Sequence, residues 1–267
     1  MAGRIAGPER FMFVGPDRVF YAGLLGRPRR RSLGALAIVA AVDGRIRVTV
    51  EGQPMREVTA AVIPAYTPHS IEADHLCVSA ILIEPESVDA ATLATIETDW
   101  NSRCDIAVAE TMRAARRDLL ASAARHPMKA EDVDRAVFGT VLPPRDLDPR
   151  IARVLQLMAD DPGSTLSASD QAEMVNLSVS RFLHLFKDET GVPLRALRAW
   201  KRARHLLNYA NESLNMAHLA LDIGYPDSTH FSHSIRRFYG LKPRAIFSGS
   251  RELAIYRGSG ARALEPA

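Results

Sequence analysis

The chain has 267 residues, enough for two domains of ordinary size, and its 47% hydrophobic and 24% charged residues are typical of a folded globular protein. No apolar run is long enough to cross a membrane, and two cysteines are too few for a disulfide framework, so we expect a cytoplasmic protein without membrane contacts. Residues 150–267 carry 16 Lys and Arg against 11 Asp and Glu, whereas the preceding residues carry 18 against 20. This asymmetry is expected where one half of a chain meets phosphates.

The first 90 residues or so favour β-strands, which we expect over about 10–85. The run GALAIVAAV, the turn at Asp43-Gly44 and the run RIRVTVEG predict a β-hairpin, because Asp-Gly between β-prone segments is a strong hairpin signal. TAAVIP and HLCVSAILIEP are further strand candidates, each ending at proline. Several short strands separated by turns predict a small barrel or sandwich.

A helical pattern replaces the strand pattern from about Ala90, and helices are expected over about 90–140. Apolar residues recur at helical spacing between Asp105 and Arg125, and a second, shorter helix is predicted over 131–138. Three prolines then break both regular structures. The predicted organisation is a front domain over 1–142, a linker over 143–149, an all-helical domain over 150–250 and a C-terminal tail over 251–267.

Two segments of the last third resemble each other and predict two helix-turn-helix units. Ala172 lies four residues before Asn176, and Ala220 lies four residues before Gly224. A small residue lets two helices cross at close range, and Asn and Gly tolerate the positive φ that the turn needs. An apolar stripe and a closing glycine follow in both segments at the same offset of 49 residues. The repetition makes two unrelated amphipathic helices a poor alternative explanation.

The second helix of each unit is expected to bury its apolar stripe and to expose polar side chains that can hydrogen-bond base edges and phosphates. The connecting stretch PLRALRAWKRARHLLNYA predicts a long basic helix that holds the two units about one DNA turn apart. The candidate DNA contacts are Ser180, Arg181, His184 and Lys187 in the first unit, and Asp227, Ser228, Thr229, His230, His233, Arg236 and Arg237 in the second.

These two segments resemble the AraC/XylS family of transcription regulators over about residues 148–247. The resemblance rests on A-x-x-x-N-L-S-x-S-x-F-x-x-L-F-K-x-x-x-G in the first unit and on A-x-x-x-G-Y-x-D-x-x-x-F-S-x-x-x-R-R-x-x-G-x-x-P-x-x-x-F in the second. It implies a seven-helix domain, in which Ser180 and His184 meet bases and residues 227–230 begin the second recognition helix. It also implies phosphate contacts for Lys187, Arg236 and Arg237. Pro226 departs from many members and is expected to start that helix before a cap at Asp227.

Family members with such a front half often carry a cupin-like effector or dimerisation domain, which TAAVIPAYTPHSI resembles. The resemblance therefore implies an α+β chain: an N-terminal cupin-like β-barrel with helices, then an all-α domain of two helix-turn-helix units joined by a long helix. A metal cupin needs clustered His and Glu ligands, and His69 and His75 lack such partners, so we expect no metal and no cofactor. By analogy with the family, the helix over 105–125 is the expected dimer contact; packing only on its own barrel is the alternative.

An arginine run in the segment GRPRRRSLGAL is the candidate effector site. Arginine forks grip phosphates bidentately and stack on bases, so the run favours an anionic effector; a solvated loop or a minor DNA contact is the alternative. The spacing R-x-x-x-R also resembles the arginine motif with which PilZ domains hold cyclic di-GMP, although the rest of that motif is not found. Cyclic di-GMP is therefore a candidate effector. The residues concerned are Arg27, Arg29, Arg30 and Arg31.

The sequence predicts a sequence-specific transcription regulator that binds double-stranded DNA and a small-molecule effector. Activation is the expected mode of regulation. A homodimer is expected, and RNA polymerase is a candidate partner. The alternatives are an effector-independent DNA-binding protein and a regulator that answers to a sugar or aromatic acid. A cupin-type isomerase or dioxygenase would need a ligand triad, and a DNA repair methyltransferase would need a reactive cysteine in a Pro-Cys-His type setting. Neither Cys77 nor Cys104 has that setting, so no enzyme is expected.

Overall fold

The computed structural model describes residues 10–258 except Pro28, Leu76, Cys104, Ser213 and Arg251. One of the two cysteines considered above, Cys104, therefore lies outside the described residues. Within these residues, no helix combines the length and the apolar composition that crossing a bilayer requires. The same part of the chain contains no group of three His, Cys, Asp or Glu side chains that could hold a metal ion.

The N-terminal domain contains two β-sheets that share a hydrophobic core. The larger sheet has the strand order β6-β3-β8-β2-β1-β9, and the smaller has the order β5-β4-β7. The central strands β3 and β8 are almost entirely buried, because both faces of the larger sheet are covered, and this explains their continuous apolar sequences. The strands are β1 (Phe11–Val14), β2 (Arg18–Leu24), β3 (Leu36–Ala41), β4 (Ile46–Val50), β5 (Arg56–Val58), β6 (Ala60–Ile63), β7 (His69–Ala73), β8 (Cys77–Ile83) and β9 (Ala254–Arg257).

The hairpin predicted across Asp43-Gly44 is wrong, although the turn itself is present with Gly44 at φ 72°. β3 pairs with β6 and β8, whereas β4 pairs with β5 and β7, so the turn carries the chain from one sheet to the other. The predicted closed barrel is also not observed: no ladder joins the two sheets in the described part of the chain. The domain is therefore an open pair of sheets, because β3 and β4, which follow each other in sequence, pair with other strands in different sheets.

β9 comes from residues that were expected to form a C-terminal tail. It pairs in parallel with β1, with Phe11 opposite Ala254. Arg257 at its end lies 2.9 Å from the carboxylate of Glu212 and also donates to the carbonyl of Asn208. The chain thus returns from the helical domain to complete the edge of the larger sheet.

Alternation along the strands divides the larger sheet between two cores. Phe11 and Phe13 face the three helices that follow the sheet, whereas Met12 and Val14 face the helical domain. The two helices predicted for this region are confirmed, with an additional helix before them. The three are α1 (Ala90–Ser102), α2 (Asp105–Ala123) and α3 (Ala130–Phe138).

Seven helices follow the proline-containing linker within the described residues, as the family resemblance implies. The connector α7 has 12 residues and continues into the 3₁₀ turn Leu206–Tyr209, so its regular part is shorter than predicted. The helices are α4 (Pro149–Asp160), α5 (Ala168–Met174), α6 (Val179–Thr190), α7 (Leu194–His205), α8 (Met216–Asp222), α9 (Ser228–Tyr239) and α10 (Pro243–Gly249).

A buried charge cluster fastens α7 to the N-terminal domain. Lys201 Nζ lies 2.8 Å from Glu86 Oε1 and also contacts the carboxylate of Glu84. Trp200 Nε1 donates to Glu84 Oε1 at 3.0 Å, and Arg204 Nε lies 3.3 Å from the same oxygen. Burial opposes ionisation of Glu84, but the charges of Lys201 and Arg204 outweigh it and keep its pKa below the ordinary value. Two cations of the basic connector therefore bind the N-terminal domain.

Candidate nucleic-acid interface and interdomain cavity

The first repeat folds as α5, a tight turn and α6. The turn residue Asn176 has φ 55°, and Ala172 is buried where α5 precedes it. The Ser178 side chain accepts a hydrogen bond from the Arg181 amide at 3.3 Å and so caps the N-terminus of α6. Gly191, with φ 77°, ends the helix. The predicted turn and closing glycine of this unit are confirmed.

The second repeat folds in the same way as α8, a turn and α9. Gly224 has φ 83°, Ala220 is fully buried, and Gly240 ends α9 with φ 70°. Asp227 Oδ1 accepts hydrogen bonds from the Thr229 and His230 amides, both at 2.8 Å. Asp227 is therefore the N-cap of α9, as predicted. The buried stripe of α9 consists of Phe231, Ile235 and Phe238.

All eleven side chains predicted to contact DNA are exposed on α6, on α9 or at the start of α9. The Asp227 carboxylate also contacts another member of this set, because its Oδ2 lies 2.7 Å from His230 Nδ1. This pair fixes the His230 ring at the N-terminus of the helix. Contact of these residues with DNA stays a prediction.

An open groove of about 1310 Å³ lies between α6, α7 and α9. It brings together five of the predicted DNA contacts: His184, Lys187, His230, His233 and Arg237. The other six, which do not line the groove, are Ser180, Arg181, Asp227, Ser228, Thr229 and Arg236.

The floor of the groove is formed by α7, which contributes Arg195, Arg198 and Arg202. The sequence showed that this stretch is basic, but these three residues were not singled out as site residues. Their spacing of three and four residues places them on one helix face, about a third of a turn away from Lys201 and Arg204. The angular position of these residues around the helix was therefore the sequence signal that could have identified them. No Asp or Glu lines the groove in the part of the chain that the structure describes.

Comparison with known proteins agrees with this geometry, since residues 171–248 match a family model described as a helix-turn-helix domain. Residues 171–248 are therefore similar to a helix-turn-helix domain, in agreement with the two units described above. The transcriptional activator RhaS of Escherichia fergusonii is 32% identical over 105 residues, 38% of this chain and 37% of that protein. RclR of Escherichia coli, an RCS-specific transcriptional activator, is 28% identical over 109 residues, 40% of this chain and 38% of that protein. These matches support the predicted AraC/XylS relationship, and they span less than two-fifths of each relative.

Solved structures resemble a larger part of the chain. An apo ToxT variant from Vibrio cholerae superimposes with a TM-score of 0.58 at 12% identity, covering 87% of this chain and 97% of ToxT. Another ToxT structure gives a TM-score of 0.53 at 12% identity and covers 91% of this chain and 97% of ToxT. At this identity the likeness concerns the fold alone. It shows that a mixed sheet-and-helix domain in front of the helix-turn-helix domain is a known arrangement.

A cavity of about 400 Å³ lies between the larger sheet and the helix-turn-helix domain. Apolar side chains from β2, β3 and β8 form one wall, and residues from α9, α10 and the 3₁₀ turn form the other. Two tyrosine hydroxyls at the cavity already donate to backbone carbonyls: Tyr21 to Leu24 at 2.7 Å and Tyr239 to Ala203 at 3.1 Å. Burial raises the pKa of Tyr21 to about 12, so it is neutral.

Arg27 and Arg31 are the charged residues that line this cavity among those described. Arg31 Nε donates to His69 Nε2 at 3.1 Å, and His69 Nδ1 donates to the Thr67 carbonyl at 2.8 Å. Burial lowers the pKa of His69 to about 4, so its imidazole is neutral at pH 7, and burial lowers the pKa of Arg31 to about 10. The described carboxylates form no ion pair with Arg31. A guanidinium without a counter-ion therefore stands at the edge of an apolar cavity.

The remaining arginines of the run point elsewhere, so the run does not form a single cluster. Arg30 pairs with Glu51 at the surface, and Arg29 is exposed. The backbone amides of Arg29 and Ser32 each donate at 2.9 Å to the end of α9, at the carbonyls of Gly240 and Arg237. We call residues 29–32 the strap, because they cross the end of the second recognition helix. Only half of the predicted effector residues, Arg27 and Arg31, line the cavity.

Proposed function

We propose that this protein is an AraC/XylS-type transcription regulator that binds a specific double-stranded DNA site through both helix-turn-helix units. The observation that carries the proposal is the repeat itself: α6 and α9 have matched turns and caps, and both place polar side chains along a groove that has no acidic side chain among the described residues. The activators RhaS and RclR, which match this domain, favour activation. The proposal includes a homodimer that forms through α2 and an interaction with RNA polymerase.

Enrichment of binding sites from random duplex DNA with the purified full chain tests the proposal. We expect a site with two protected segments about one helical turn apart. His184→Ala and His233→Ala, one in each recognition helix, are each expected to weaken binding by about 1–3 kcal/mol and to relax base preference in one segment only. Arg153→Ala serves as the control, because Arg153 is an exposed residue of α4 that does not line the groove. Failure to enrich any sequence over the starting pool would contradict sequence-specific binding.

The proposed effector binds in the cavity and has an apolar body and one anionic group. The apolar walls suit the body, and Arg31, which lacks a counter-ion, suits the anion. A ToxT structure with a TM-score of 0.53 and 13% identity contains (E)-4-(8-methylnaphthalen-1-yl)but-3-enoic acid, a molecule of this chemical type. Cyclic di-GMP remains a candidate, but the apolar walls favour a less polar acid. A sugar is less favoured because the tyrosine hydroxyls already have partners.

Arg31→Met is expected to lower the affinity for that naphthyl butenoic acid about tenfold to a hundredfold, because a hydrogen bond to a charged group contributes about 1.5–3 kcal/mol. Calorimetry measures the affinity, and the ligand should raise the melting temperature of the unsubstituted protein. Arg30→Met, outside the cavity, is the matched control. Equal binding by both variants would contradict the assignment of Arg31. Tighter binding of cyclic di-GMP, lost in an Arg27→Ala plus Arg31→Ala variant, would establish the nucleotide instead.

A further inference from the structure

The connecting helix α7 separates its cations onto two faces. Lys201 and Arg204 contact the buried carboxylate of Glu84 in the N-terminal domain. On the other face, Arg195, Arg198 and Arg202 form a row that we call the arginine row, which runs along the floor of the groove. The row is therefore not part of the interface between the two domains, and its charge needs a separate explanation.

No carboxylate forms an ion pair with the arginine row among the described residues. Arg202 donates to the carbonyls of Pro162 at 3.3 Å and Ser164 at 2.8 Å, which orient its guanidinium but leave the charge in place. Burial, and then the charge of Arg202, lower the pKa of Arg198. Like charges one helical turn apart destabilise a helix. An anion in the groove would stabilise three arginines held in this way.

The position of the row relative to the recognition helices indicates which anion. When α6 and α9 enter successive major grooves on one face of a duplex, the minor groove and the phosphates beside it face the protein between them. The floor of the groove, formed by α7, occupies that place. A-form RNA does not fit this arrangement, because its deep and narrow major groove does not admit helices.

We propose that Arg195, Arg198 and Arg202 bind the phosphate backbone of the DNA segment that lies between the two recognition helices. This inference rests on the proposed DNA-binding function and adds a third contact region to the two recognition helices. Lys187 on α6 and Arg237 on α9 extend the positive charge up the two sides of the groove. Phosphate contacts carry no sequence information, so the row sets affinity and register, not base preference.

The test compares the unsubstituted 267-residue chain with an Arg195→Gln plus Arg198→Gln variant over a series of salt concentrations. Arg202 is left unchanged because it also holds the loop at Pro162. Loss of two phosphate contacts should make the slope of log K against log salt shallower by about 2 and weaken binding, with unchanged base preference. The melting temperature should stay the same or rise, because repulsion along α7 is relieved. Arg153→Gln plus Arg244→Gln, two exposed cations outside the groove, is the matched control.

Both an enriched site and an unrelated duplex of about 30 base pairs are measured, because phosphate contacts form on either. An unchanged salt slope in the row variant overturns the inference, and so does a change in base preference at constant slope. Absence of any enriched site overturns the proposed regulator instead, while the unrelated duplex still tests the row. Equal loss in the control variant would show a general charge effect and would also overturn the inference.

Discussion

Lys201→Met is expected to lower the free energy of unfolding by about 3–5 kcal/mol, because removing one partner leaves an uncompensated buried charge. Glu84 and Glu86 are both almost fully buried, and Lys201 contacts both. Burial and the neighbouring Glu84 charge raise the pKa of Glu86, although Lys201 opposes both effects. Without the ammonium group, the two carboxylates would repel each other inside the interface between the domains. For a chain of this length the expected fall in melting temperature is roughly 10 °C.

Thermal unfolding measures this effect, with Lys242→Met as an exposed lysine control in the same domain. Adding Glu84→Gln and Glu86→Gln to Lys201→Met should restore part of the stability, because the repulsion disappears with the charges. A melting temperature that equals that of the control would show that the cluster does not hold the domains together.

Gly240→Ala is expected to be far more harmful than Gly191→Ala, although the two glycines end equivalent helices of the repeat. Both have positive φ, so each substitution carries a strain of about 1–2 kcal/mol. A Cβ on Gly191 meets nothing within 4 Å, whereas a Cβ on Gly240 would lie 2.3 Å from the Arg29 carbonyl oxygen. That clash with the strap should add about 1–3 kcal/mol. The repeat thus supplies its own control.

Denaturant unfolding of the two variants gives the difference in stability directly. Release of the strap by Gly240→Ala should also expose the Arg29 and Ser32 amides to hydrogen exchange, which Gly191→Ala should leave protected. Equal stability and equal hydrogen exchange in the two variants would mean that the strap does not pack against the end of α9.

The helix-turn-helix repeat was predictable because its signals are local. Asn176 and Gly224 are required by the backbone of a turn, and Asp227 by the amides just after it, so each residue reports on its neighbours in sequence. Strand pairing is decided by distant residues. The sequence around Asp43-Gly44 is a good turn, yet nothing in it shows that the flanking strands belong to different sheets.

The same difference between local and distant signals explains why the candidate sites were predicted only in part. Exposure of the recognition-helix residues follows from helical period, and it is observed for all eleven. The arginine run, by contrast, was treated as one site because its members are neighbours in sequence. The structure separates them, since Arg30 finds Glu51, and the backbone at Arg29 finds Gly240. Both partners are too far along the chain for sequence spacing to reveal them.

The parallel pairing of β1 with β9 has a consequence for how the protein is made. β1 emerges from the ribosome about 240 residues before its partner, which at synthesis rates of about 5–20 residues per second corresponds to roughly 10–50 s. During that time the backbone groups along one side of β1 lack their final partner, and open strand edges are sites of aggregation. The front domain therefore completes its folding only after the helical domain has been synthesised, and the two domains mature as one unit.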